Sequence, residues 1–187
     1  MNRLMLSVFV SASLLRFGAL QAQTDEETRT YDLAGKGTLQ LTVPTTWQQG
    51  YASLTPDGAT ISFSIQYESE ERLLWKVFIT GFWKHQQRSL PSAEKLKSDL
   101  EHTGKAHLIR AKEDELVIRE ARGAETVVYS FSLTDREPKP DEYLFMTQGA
   151  ARIGEVVVVF TILSNQDRTE IDRTALEAVR TARHRRK

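Results

Sequence analysis

The 187-residue chain contains no cysteine. That absence removes disulfides, thiolate metal sites and a cysteine nucleophile together, and it leaves packing to hold the fold. It also removes the residue that a lipid-anchored exported protein carries just after its cleavage site. Histidine is scarce, with His85, His102, His107 and His184 making up all four. The strained glycine–x–serine–x–glycine elbow and the glycine-rich phosphate cradle are both missing. A charge excess of either sign is missing too, since 25 basic residues face 25 acidic ones. The electrostatic footprint expected of a nucleic-acid partner is therefore absent.

What is present begins with an export signal over residues 1–22. Arg3 supplies its positive start, and the apolar run over residues 4–15 is too short to span a hydrocarbon core of about 30 Å. Cleavage is expected after Ala22, with Leu20 at the other recognition position and Arg16 an unfavourable charge before it. Removing the segment takes two basic residues and no acid, so 23 basic and 25 acidic residues remain. The mature chain from residue 23 is expected in a periplasmic or extracellular compartment, free of a membrane span. Its roughly 165 residues can bury close to 70% of the unfolded surface, enough for one core in one domain.

The mature pattern is mostly β. Leu39, Leu41 and Val43 alternate with polar residues before Pro44, and Ile61, Phe63, Ile65 and Tyr67 alternate after the turn residues Pro56-Asp57-Gly58. Trp47 and Tyr51 between these strands are expected to cap the core. Residues 73–83 place Trp75, Val77 and Ile79 on one face and Leu74, Phe78 and Phe82 on the other, as in an internal strand. Leu90, Ala93, Leu96 and Leu100 predict a helix over residues 89–103, with Gly104 as its stop. Strands are predicted over 116–118 and 126–133, joined near Arg122-Gly123, and over 143–148 and 155–163, separated by Gly149 and Gly154. Ser164-Asn165 offers a cap to a closing helix marked by Ile171, Ala175, Val179 and Ala182. The basic residues from Arg183 to Lys187 read as a tail fraying into solvent. The fold class is α+β, an antiparallel sheet of about six or seven strands flanked by two or three helices.

Between two of these strands lies a charged stretch, residues 134–142, whose Pro138 and Pro140 exclude it from a sheet. Asp135, Arg136, Lys139 and Asp141, next to Tyr143, suit the polar rim around an aromatic anchor in a protein interface. Trp83, at a strand end, is a second candidate contact. His102 and His107, near Asp99, Glu101, Glu113, Asp114 and Glu115, are spaced five apart rather than the four that share a helix face, and no metal or catalytic residue is assigned.

The corner Val43-Pro44-Thr45-Thr46-Trp47, the turn before Gly58, residues 143–149, the Ile153-Gly154 step, the strand over 156–163 and the closing helix together resemble the PsbP-like family, whose fold is shared by a nuclear import factor that binds the GTPase Ran. The resemblance implies an antiparallel sheet flanked by helices and action by binding, often to a larger assembly. Photosynthetic members associate with a manganese-containing complex, but none of their metal or docking residues matches a position here, so no cofactor is implied. Ran binding does not suit an exported chain. The leading expectation is an exported, non-catalytic binding or accessory protein, using a sheet face and loops on a protein or small-ligand partner. The alternatives are a metal-assisted or carboxylate-using hydrolase, with His85, His102 and His107 converging on folding, and a structural or stress-related envelope protein.

Overall fold

The computed structural model describes residues 25–55, 60–68, 73–83, 89–165 and 168–187. The expected signal segment, the Pro56-Asp57-Gly58 turn and His85 lie outside these residues. The elements are β1 (Glu26–Asp32), β2 (Thr38–Pro44), β3 (Gln48–Leu54), β4 (Thr60–Glu68), β5 (Leu73–Trp83), α1 (Ala93–Leu108), β6 (Arg119–Arg122), β7 (Thr126–Thr134), β8 (Phe145–Ile153), β9 (Val156–Ser164), α2 (Arg168–Arg180) and β10 (Arg183–Arg185). Seven strands form one sheet in the order β3-β4-β5-β9-β8-β7-β6, and β1, β2 and β10 form a second with β2 central. Every pairing in both sheets is antiparallel. The α+β antiparallel architecture agrees with the expected class.

Strand periodicity sorts the apolar residues onto two layers. On one face of the large sheet, Ile61, Phe63, Ile65, Trp75, Val77, Ile79, Val158, Phe160 and Ile162 pack with Leu39, Leu41 and Val43 of β2 and with Ile171, Ala175 and Val179 of α2. On the other face, Tyr129, Phe131, Leu133, Ala150 and Val157 pack against Leu96 and Leu100 of α1. Aromatic pairs within the first of these layers join the large sheet to β1 and to the corner after β2. Tyr31 of β1 stacks on Phe63 at 3.8 Å, and Trp47 lies 4.5 Å from Trp75 across a tilted contact. Trp47 is buried, as its expected capping role requires, whereas Tyr51 is 48% exposed on the edge strand β3.

The large sheet has the expected number of strands but a different membership. β2 belongs to the small sheet, and the seventh place is taken by β3, a strand whose residues are all exposed and therefore carry no alternation. Residues 116–118 are not a strand; β6 begins at Arg119. Gly149 does not end a strand. β8 runs through it to Ile153, and a Cβ there would meet the tip of the Phe160 ring, its cross-strand partner. The turn needs only Gly154, at φ +58°. Gly104 is likewise not a stop: it is buried inside α1, where a Cβ would lie 2.7 Å from the Leu116 methyls, so the missing side chain admits Leu116. The helix starts at the Ser92 cap, whose hydroxyl accepts from the Lys95 N–H at 3.2 Å. The basic terminus does not fray through Arg185, because Arg183–Arg185 pair with β2. Among the described residues no helix is long and apolar enough to cross a membrane.

Candidate functional site

The antiparallel registers set Leu133, Met146 and Leu163 side by side on β7, β8 and β9. With adjacent strands about 4.8 Å apart, these three side chains make an apolar floor about 10 Å across. The 134–144 loop closes over it. Its first limb is held by residues just after α1: the Arg136 N–H donates to the Arg110 carbonyl at 2.8 Å, and the Lys112 N–H donates to the Thr134 carbonyl at 2.9 Å. Glu113 accepts from both the N–H and the hydroxyl of Thr134 at 2.8 Å. The second limb is held by Asn165, whose Oδ1 accepts from the Leu144 N–H at 2.8 Å, while the Asp135 N–H donates to the Leu144 carbonyl at 2.8 Å. Asn165 is thus used to fasten the loop rather than to cap α2, which begins at Arg168.

One side chain ties the two limbs together. Arg110 Nη2 lies 3.1 Å from Asp135 Oδ2 and 3.0 Å from Glu142 Oε2. The Lys139 N–H also donates to Glu142 Oε2 at 3.3 Å, and that backbone donor, followed by Arg110, holds the Glu142 carboxyl below its ordinary range. Asp135 further accepts from the Glu137 N–H at 3.0 Å, and Arg136 Nη2 donates to the Ala111 carbonyl at 2.8 Å. Beneath this frame is a cavity of about 330 Å³ lined by His107, Arg110, Asp135, Asp141, Glu142, Tyr143 and the apolar floor. A small number of convergent polar groups over an apolar base is the usual composition of a binding cleft.

Asp135, Asp141 and Tyr143 line the cavity, and Arg136 and Lys139 belong to the same loop. Trp83 does not join them. It is 6% exposed and pairs with Val156 at the start of β9, whereas the loop sits by Ser164 at its end, about 26 Å away. The residues that the sequence did not place at this site are Arg110 and the floor residues Leu133, Met146 and Leu163, while His107, considered only as a metal or hydrolase candidate, lines the cavity. Arg110 is separated from its acidic partners by 25 and 32 positions, so no local spacing announces it. His102 and His107 are both exposed on α1. Among the described residues no group of three or more His, Asp or Glu is gathered to hold a metal.

No family model matches the chain, and no curated protein matches it. Among solved structures it is similar to cyanobacterial PsbP (CyanoP) from Synechocystis sp. PCC 6803, with a TM-score of 0.51 and 10% sequence identity, over 87% of this chain and 94% of that one. Two helices on a seven-stranded antiparallel sheet, aligned over most of both chains, give this protein a PsbP-like α+β fold.

Proposed function

We propose that the protein is exported and acts as a non-catalytic binding or accessory protein, engaging a protein partner through the 134–144 loop and the cavity beneath it. The observation that carries this reading is the fastening of the loop by Arg110 to Asp135 and Glu142 over the floor of Leu133, Met146 and Leu163. A loop already held in one shape loses little conformational freedom on binding. Ile109, directly before Arg110, is 81% exposed and enlarges the apolar surface available to a partner. The complementary surface is an apolar side chain for the floor beside a basic one for Asp141, an exposed rim carboxylate. The PsbP-like fold supports an accessory role, and the segment over residues 1–22 supports export.

The test is affinity capture from the native compartment with residues 23–187 as bait, run beside the combined Arg136→Ala, Lys139→Ala and Tyr143→Ala variant. A partner enriched by the wild type and lost by the variant is expected. Equal capture by both, or no enriched partner, would remove the loop from the account. Mass spectrometry of the exported protein should find its start near Gln23, and a retained Met1 would contradict export.

A further inference from the structure

A second cavity, of about 350 Å³, lies at the other end of α1 and is independent of the loop reading. It is lined by Lys36, Trp83, Ser89, Leu90, Arg152, Glu155 and His184. Five parts of the chain meet there. Lys36 comes from the β1–β2 turn, Arg152 from near the end of β8 and Glu155 from the β8–β9 turn, Trp83 from the end of β5, Ser89 and Leu90 from the segment before α1, and His184 from β10. The contact depends on two glycines. A Cβ at Gly37, where φ is +96°, would strike the Arg185 backbone, and one at Gly154 would crowd the His184 ring at 3.2 Å.

The polar groups of this cavity are unequal in their remaining capacity. His184 Nε2 is 2.8 Å from the Lys36 carbonyl and therefore carries the proton and donates it, leaving Nδ1 to accept from the Glu155 N–H at 3.4 Å. The ring is fully engaged as a wall. Glu155, the cavity's one acid, is paired with Arg186 at 2.9 Å. Arg152 spends its Nε on the Gly154 carbonyl at 3.3 Å, and neither its guanidinium nor the Lys36 ammonium forms an ion pair among the described residues. Two uncompensated cations thus face a concavity walled by an indole and a leucine.

We infer that this cavity binds a small organic anion, its carboxylate or phosphate held by Lys36 and Arg152 and its apolar body lying against Trp83 and Leu90. Charge and shape agree. A guanidinium and an ammonium suit an oxyanion, Trp83 and Leu90 suit a hydrocarbon or aromatic body, and the volume is at the lower end of small-ligand sites. The inference also gives a use to the basic C-terminus, whose β10 pairing brings His184 into the wall and whose Arg186 neutralises Glu155.

The test uses the purified full chain and the indole N–H resonance of Trp83, assigned by its loss in Trp83→Phe. The probes are 4-phenylbutyrate, phenyl phosphate and the neutral 4-phenylbutanamide. A saturable shift is expected with one or both anions, the stronger naming the head group, and binding of the amide should be at least about tenfold weaker. Lys36→Gln and Arg152→Gln should each weaken the anion about tenfold. Arg110→Gln, at the other cavity, should leave it unchanged. Equal binding of anion and amide, no saturable shift up to about 10 mM, or full affinity in the folded Lys36→Gln/Arg152→Gln double variant would overturn the inference.

Discussion

At the scale of single residues, glycine is used here for close approach more than for turning. At Gly149 an added Cβ would lie 2.5 Å from the Tyr129 carbonyl and would meet the Phe160 ring as well. Neither neighbour can move cheaply, since Phe160 is 1% exposed and Tyr129 is in a central ladder. Gly149→Ala should therefore lower stability by about 2–3 kcal/mol, read as a lower denaturation midpoint with an unchanged slope. Glu142 gives a residue-scale prediction in pH. Its carboxyl is held low by the Lys139 N–H and by Arg110, so the stabilisation is complete above the ordinary glutamate value of about 4.3 and is lost as pH falls through the lower folded value. Carbon NMR of the Glu142 carboxyl should show a midpoint below that ordinary value. A midpoint at or above it would contradict the hydrogen bonds assigned to the loop.

Among the elements, α1 ties the two ends of the sheet together, entering beside Ser89 and Leu90 of one cavity and leaving beside His107 and Arg110 of the other. Its hold on the sheet rests on Leu96 and Leu100, each 5% exposed against Tyr129, Phe131 and Leu133. Leu100→Ala should cost about 2–4 kcal/mol in chemical denaturation. Elements with a buried face were legible in the sequence, because burial imposes a period: β2, β4, β5, β7 and β9 all show it, as does the leucine spacing of α1. β1, β3 and β10 were not. β3 is exposed throughout, β1 buries only Tyr31, and β10 has three residues, so none displays a pattern to read. The polar residues of the loop were legible as a candidate site because its prolines and charges mark it. Its apolar floor and Arg110 were not, because only sheet register and a contact across 25 or more positions bring them in. Asn165 shows the same limit: its residue type fits a helix cap, and its tertiary position makes it the tie for Leu144. Asn165→Ala should leave the Leu144 N–H without this acceptor, costing about 1–2 kcal/mol and raising amide exchange at the base of the loop.

For the whole molecule, a PsbP-like fold is reached at 10% identity to CyanoP, which means that layer packing and strand order persist where individual residues do not. Function must then be argued from sites rather than from the fold. The two cavities lie at opposite ends of the sheet and differ in character: one is an apolar floor under a fastened, largely acidic rim, and the other is basic and aromatic. The central claim is that the first is a protein-docking surface, and photo-crosslinking in the native host tests it most directly. A benzophenone amino acid would replace exposed Asp141 at the rim, with exposed Glu125 in the β6–β7 turn as control. The account predicts a discrete protein adduct from position 141, absent from position 125 and lost when Arg110→Ala unfastens the loop of the otherwise folded protein. No adduct at 141, or the same adducts from both positions, would contradict it.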